Sequence, residues 1–240
     1  MRRTIVAAVV AAALASLVVS AAAAGGSAVR LRHGPNHKLT NSTSTNWSGY
    51  AATGSRFTSV SASWTEPSVV CSGTAYSSFW VGIDGDTSGT VEQTGTDADC
   101  SGSTPQYYAW YEMYPKFPTN LGNPVQPGDA LSASVTTDGV GRFTLTIADS
   151  TQNWTFTTTQ RLKSAALASA EVIAEAPSSR SGVLPLADFG AVNFANATAN
   201  GVSLASLNPD PITMVSGSTV KAQPSSISSS GSFSVTWQHS

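Results

Sequence analysis

From Asn41 onward, runs of about 5 to 8 residues rich in Thr, Ser and Val alternate with Gly, Pro, Asn and Asp turns. That spacing leaves little room for helices and predicts an all-β chain. Strands are expected at Asn46–Ala51, Thr58–Trp64, Ser77–Ile83, Thr90–Thr94, Gln106–Tyr114, Ala130–Thr137, Arg142–Asp149, Gln152–Thr158, Val183–Asp188, Ala191–Ala195, Ile212–Val215 and Phe233–Trp237. So many short strands at close spacing point to a two-sheet antiparallel sandwich. Leu162–Ala176 is the exception: its intrinsic propensity slightly favours a helix. Read instead as a strand, Ala170–Ala176 puts Glu171, Ile173 and Glu175 on one face.

The stretch Phe79–Cys100 carries more polar groups than a core hairpin needs. Gln93 sits among Val91, Thr94 and Gly95, and Trp80 shares the span with Asp84, Asp86, Asp97 and Asp99. The four aspartates are read as lying in turns, where turn chemistry explains Asp86 and Asp99 well. A cleft floor would use the remainder. Glu112 falls within an aromatic run whose alternation places Tyr108, Trp110, Glu112 and Tyr114 on one side. Such a face is either a groove that grips an extended polymer or a buried aromatic core.

The ends bound the compartment. An uncharged run, Ile5–Ala24, follows Met-Arg-Arg and closes in small residues, so residues 1–24 read as a signal peptide. A membrane anchor is the rival reading. Residues 25–45 form a basic leader with Arg30, Arg32, His33, His37 and Lys38, whereas the chain from residue 39 has 7 Lys and Arg against 14 Asp and Glu. The leader is either a short pro-segment covering an acidic cleft or a disordered spacer. Residues 46–240 suffice for one domain with its own core. The two cysteines, Cys71 and Cys100, are expected to pair in an exported protein. Few lysines, an acidic body and no basic patch argue against nucleic acid as partner. The expected product is secreted, extracellular, free of the membrane once the signal is cut, and monomeric.

The chemistry follows by elimination. The histidines are His33, His37 and His239, none within the body of the domain. Neither a Ser-His-Asp arrangement nor a zinc cluster has its parts. An enzyme built on this chain without metal or cofactor needs a carboxylate base, which favours acid conditions. Glu112, Glu171 and Glu175 are the candidates.

Six pieces, in order, resemble the glutamic peptidases, the G1 or eqolisin family. They are Asn-Trp-Ser-Gly (46–49), Trp-Val-Gly-Ile-Asp-Gly-Asp (80–86), Gln-Thr-Gly (93–95), Ala-Trp-Tyr-Glu-x-Tyr-Pro (109–115), Ala-Glu-x-Ile-x-Glu (170–175) and Pro-Leu-Ala-Asp-Phe-Gly (185–190). The resemblance implies a concanavalin-like sandwich of two curved antiparallel sheets with a substrate groove on the concave face, and makes the ambiguous segment a strand. It implies a catalytic dyad of Gln93 and Glu175. It also implies that Trp47, Trp80, Asp84, Asp97, Trp110 and Glu112 line or support the cleft, that no cofactor is used, and that protein or peptide is the substrate. The alternative is a secreted sandwich that binds glycans through Trp47, Trp80 and Trp110 or hydrolyses them with a carboxylate pair.

Overall fold

A computed structural model of the chain describes residues 29–35 and 42–240. The expected signal peptide lies outside the described residues. Thirteen strands of five or more residues carry the fold: β1 (Trp47–Thr53), β2 (Ser59–Thr65), β3 (Ser78–Ile83), β4 (Val91–Ser101), β5 (Thr104–Tyr114), β6 (Ala130–Thr137), β7 (Arg142–Asp149), β8 (Trp154–Arg161), β9 (Ser169–Glu175), β10 (Ala191–Ala199), β11 (Asp210–Ser216), β12 (Thr219–Pro224) and β13 (Phe233–Trp237). Their hydrogen-bonded order is β8-β7-β6-β2-β10-β13-β12-β11-β1-β9-β3-β4-β5, and neighbours along it are antiparallel. The path folds back on itself at β11, which pairs with β12 on one side and β1 on the other.

Two layers result, and the main core lies between them. Phe79, Val81 and Ile83 of β3 and Val172 of β9 face Leu131, Val135, Leu145 and Ile147 from the second layer. Strand alternation accounts for this, since Leu131, Ala133 and Val135 of β6 and Phe143, Leu145 and Ile147 of β7 are apolar and buried while the residues between them lie on the other face. The other face of the β1-β9-β3-β4-β5 layer carries a separate buried cluster of Trp47, Ala51, Trp80, Val91, Trp110, Ile173 and Ile212. That second cluster floors the groove.

Ser169–Glu175 is a strand, against its local helical propensity. It pairs along seven positions with β1 and six with β3, and every residue in it is buried. Two full ladders outweigh propensity differences of a few tenths of a kcal/mol per residue. Three further corrections concern extent. Asp97 and Asp99 do not lie in a turn, because β4 continues through them to Ser101. Val183–Asp188 is not a strand beyond its first residue; Leu186 and Asp188 make isolated bridges to Tyr76 and Val70. Thr219–Pro224 is a strand with no counterpart among the expected ones. Cys71 and Cys100 are joined as expected, with Cα atoms 5.4 Å apart. Among the described residues, no helix is long and apolar enough to cross a membrane.

Candidate active site

The groove is assembled from alternate residues of five adjacent strands. β4 contributes Gln93, Gly95 and Asp97; β5 contributes Tyr108, Trp110, Glu112 and Tyr114; β9 contributes Glu171, Ile173 and Glu175; β3 contributes Trp80 and Gly82; and β1 contributes Trp47. Gly82 explains how Trp80 lies. A Cβ on Gly82 would come within 2.9 Å of the six-membered edge of the indole, so glycine lets the ring lie along the strand. The other edge of that ring then reaches Glu175, with Trp80 Nε1 donating to Oε2 at 2.8 Å. Trp47 meets Trp80 edge-on, ring centroids 5.0 Å apart.

Glu175 is fully buried and accepts three N–H donors. Besides Trp80, Asn46 Nδ2 donates to Oε1 at 3.0 Å, and the backbone N–H of Gly34 donates to Oε1 at 2.9 Å. Burial pushes its pKa up to about 8, against the pull of the His33 charge and of these donors. Gln93 Nε2 donates to the carbonyl oxygen of His33 and, at 3.1 Å, to Glu112 Oε2. Its Oε1 is buried and has no partner among the described residues. Glu112 also has its pKa raised by burial, with the His33 imidazole opposing the shift.

Asp97 anchors the far wall. Its Oδ1 accepts Trp110 Nε1 at 2.6 Å, and its Oδ2 accepts the Tyr108 hydroxyl at 2.8 Å. Tyr108 also reaches Asp99 at 2.7 Å, and burial among these carboxylates pushes the phenol's pKa up. Asp84 stands apart from the groove group. Its carboxylate accepts the backbone N–H groups of Leu167 and Ala168, each at 2.8 Å, and so fixes the loop that feeds β9. The structure therefore brings together Gln93, Glu175, Trp47, Trp80, Asp97, Trp110 and Glu112, with Asp84 supporting from behind.

Three participants escaped the sequence reading: Asn46, His33 and Gly34. Asn46 opens the Asn-Trp-Ser-Gly motif, which by itself points to no role for its amide. The leader histidine lies outside the body of the domain, where the sequence alone gives it no partner. Its signal was the opposite charge of leader and body, which local reading could not turn into a position.

The fold and its groove define a two-layer β-sandwich with a polar, tryptophan-lined cleft. The chain belongs to the Peptidase A4 family, which matches residues 45–237. Aspergillopepsin-2 of Aspergillus niger is 30% identical over 181 residues, 65% of this chain and 64% of that protein. Scytalidopepsin B of Scytalidium lignicola is 41% identical over 104 residues, 42% of this chain and 39% of that protein. The chain thus spans less than two thirds of these curated relatives. Among solved structures, scytalido-glutamic peptidase with a transition state analog inhibitor superposes with a TM-score of 0.72 at 27% identity, covering 81% of this chain and 98% of that one. SCP-B, a member of the eqolisin family in a complex with the tripeptide Ala-Ile-His, gives 0.66 at 26%, with the same coverage.

Proposed function

We propose that this protein is a secreted, acid-acting glutamic endopeptidase in which Gln93 and Glu175 hydrolyse peptide bonds through an activated water. One observation carries the reading: Gln93 donates to the carbonyl of one peptide unit while Glu175 accepts the N–H of the same unit, His33–Gly34. Those are the two atoms on which hydrolysis of an amide turns. Ionised Glu175 takes a proton from water, which attacks the carbonyl carbon. The Gln93 amide N–H stabilises the oxyanion as it forms, and the unpartnered Oε1 is free to orient the water. Glu175 then delivers its proton to the departing nitrogen, which lies 2.9 Å from Oε1. No covalent intermediate is needed.

The raised pKa of Glu175 belongs to a groove filled by the leader. Hydrolysis requires water to enter beside the bound peptide, and a carboxylate opened to water ionises near pH 4, so the hydrated groove supplies the base in acid with the peptide still in place. The transition state analog inhibitor and the tripeptide held by the related solved structures support a peptide in this groove. The glycan alternative has no comparable contact in its favour.

The test is cleavage of an unfolded protein from about pH 2 to 7 by the mature enzyme, Gln93→Ala and Glu175→Gln. Loss of about 100- to 10,000-fold in both variants is expected. Wild-type rates in either folded variant would remove it from the dyad.

A further inference from the structure

Arg32, His33 and Gly34 lie across the groove, with every main-chain N–H and C=O bonded. Arg32 exchanges backbone bonds with Ser178, at 2.8 and 2.9 Å, just beyond the end of β9. The His33 N–H donates to Glu112 Oε2 at 2.9 Å, and the Gly34 carbonyl accepts Asn46 Nδ2 at 2.8 Å. Gln93 and Glu175 take the remaining pair. Bonds to the main chain hold a peptide whatever its sequence, and side-chain pockets supply the choice.

The pocket for the His33 side chain is built for an imidazole. The ring stacks on Trp110, centroids 3.9 Å apart and planes 7° from parallel. Its Nε2 lies 3.2 Å from Asp97 Oδ2 and its Nδ1 lies 3.2 Å from Glu112 Oε2, and the residue is 1% exposed. A neutral imidazole has one N–H to donate; only the cation satisfies both carboxylates at once. The other donors to these carboxylates are neutral, Tyr108, Trp110 and Gln93, with Asp99 behind Tyr108, and the carboxyls of Glu66 and Glu175 stand near Asp97 and Glu112 respectively. Among the described residues, His33 makes the one ion pair to either carboxylate. An aliphatic side chain here would bury two acids with no counter-charge. On the other side of the bond the space is small: a Cβ on Gly34 would sit 2.9 Å from the Tyr114 ring.

We propose that the His33–Gly34 bond is this peptidase's own first substrate, and that the pocket of Asp97, Glu112 and Trp110 selects peptides with histidine before the cleaved bond and glycine after it. The proposal rests on the Gln93–Glu175 reading. In the step, water oxygen bonds to the His33 carbonyl carbon and the bond to the Gly34 nitrogen breaks. One water proton passes through Glu175 to that nitrogen, and the other stays with the new carboxyl until the medium takes it. The leader ends at His33, and the enzyme begins at Gly34.

Two measurements test this. The purified chain and its Glu175→Gln variant are brought to about pH 4 and followed by intact mass and N-terminal sequencing. A new N-terminus at Gly34 is expected for the chain and not for the variant, with His33→Leu cut there more slowly. The processed enzyme is then given Leu-Arg-His-Gly-Pro-Asn and Leu-Arg-Leu-Gly-Pro-Asn, and kcat/KM for the first is expected to be about tenfold higher or more. Asp97→Asn should narrow that ratio. Scission only at other bonds, a leader that stays intact while added protein is degraded, or a peptide ratio near one would overturn the proposal and leave the peptidase reading standing. Failure to cleave any unfolded protein at any pH would overturn both.

Discussion

Gln93 and Glu175 face one peptide unit although they are out of register by four residues. Across β3, Gln93 lies level with Gly82 and Glu171, while Glu175 lies level with Ser78 and Asp97. The Trp80 indole spans the offset, resting beside Gly82 and donating to Glu175.

Trp80→Phe keeps a ring in that space and removes the donor. A hydrogen bond to a charged group contributes about 1.5–3 kcal/mol, so kcat/KM should fall by about 10- to 100-fold. A lost donor disfavours the carboxylate, and the acid limb of the pH profile should move to higher pH. An unchanged limb would mean that the indole does not tune Glu175.

Asp84→Ala should weaken the fold rather than the chemistry. It strips two backbone N–H groups of their acceptor in a loop where Leu167 has φ of 56°. A cost of about 2–4 kcal/mol is expected, read as a lower urea midpoint. An unchanged midpoint would show that the loop holds without its anchor.

The fold should be more stable in acid than at neutral pH. Glu66 is buried, accepts Thr96 Oγ1 at 2.6 Å and Trp64 Nε1 at 3.2 Å, and has its pKa raised by burial from 4.5 to about 8. Burial also raises Glu92 to about 8 and Glu171 upward. Between these limits the native state keeps protons that the unfolded chain has released, so stability falls as pH climbs from about 4.5 to 8. His33, raised by its carboxylate partners against its burial, adds in the same direction while the leader is seated. Tm should drop by on the order of 10 °C across that window, and Glu66→Gln should flatten the slope. A Tm that rises with pH would contradict this sign.

The Cys71–Cys100 bridge closes a loop with a sequence separation of 29 residues and ties the end of β4. Replacing both by serine should cost about 3.5 kcal/mol, or roughly 10 °C in Tm. Calorimetry of the double variant reads it directly.

Strands with one dry and one wet face were legible in the sequence. Ala130–Thr137 and Arg142–Asp149 occur within the expected bounds because their alternation survives in the residue order. The groove strands were harder, for a physical reason. β9 is buried on both faces, so Glu171 and Glu175 sit among alanines without the contrast that marks a half-buried strand. Asp97 and Asp99 resembled turn residues because their partners, Trp110 and Tyr108, come from another strand. The family motifs single out Gln93 and Glu175 as the expected dyad, which periodicity could not. His33 was legible only as charge, because its place depends on the chain returning to its own groove.

Embedding Glu175 at the end of a strand laddered on both sides has a cost in adaptability. Amides of β9 can exchange with solvent only when β1 or β3 lets go, so they should be among the slowest-exchanging in the domain. The floor of the groove then breathes only with the whole sandwich. Adaptation to differently shaped ligands then falls to rim side chains such as Tyr114, beside Gly34, and Phe117, whose ring lies under the Arg32 guanidinium.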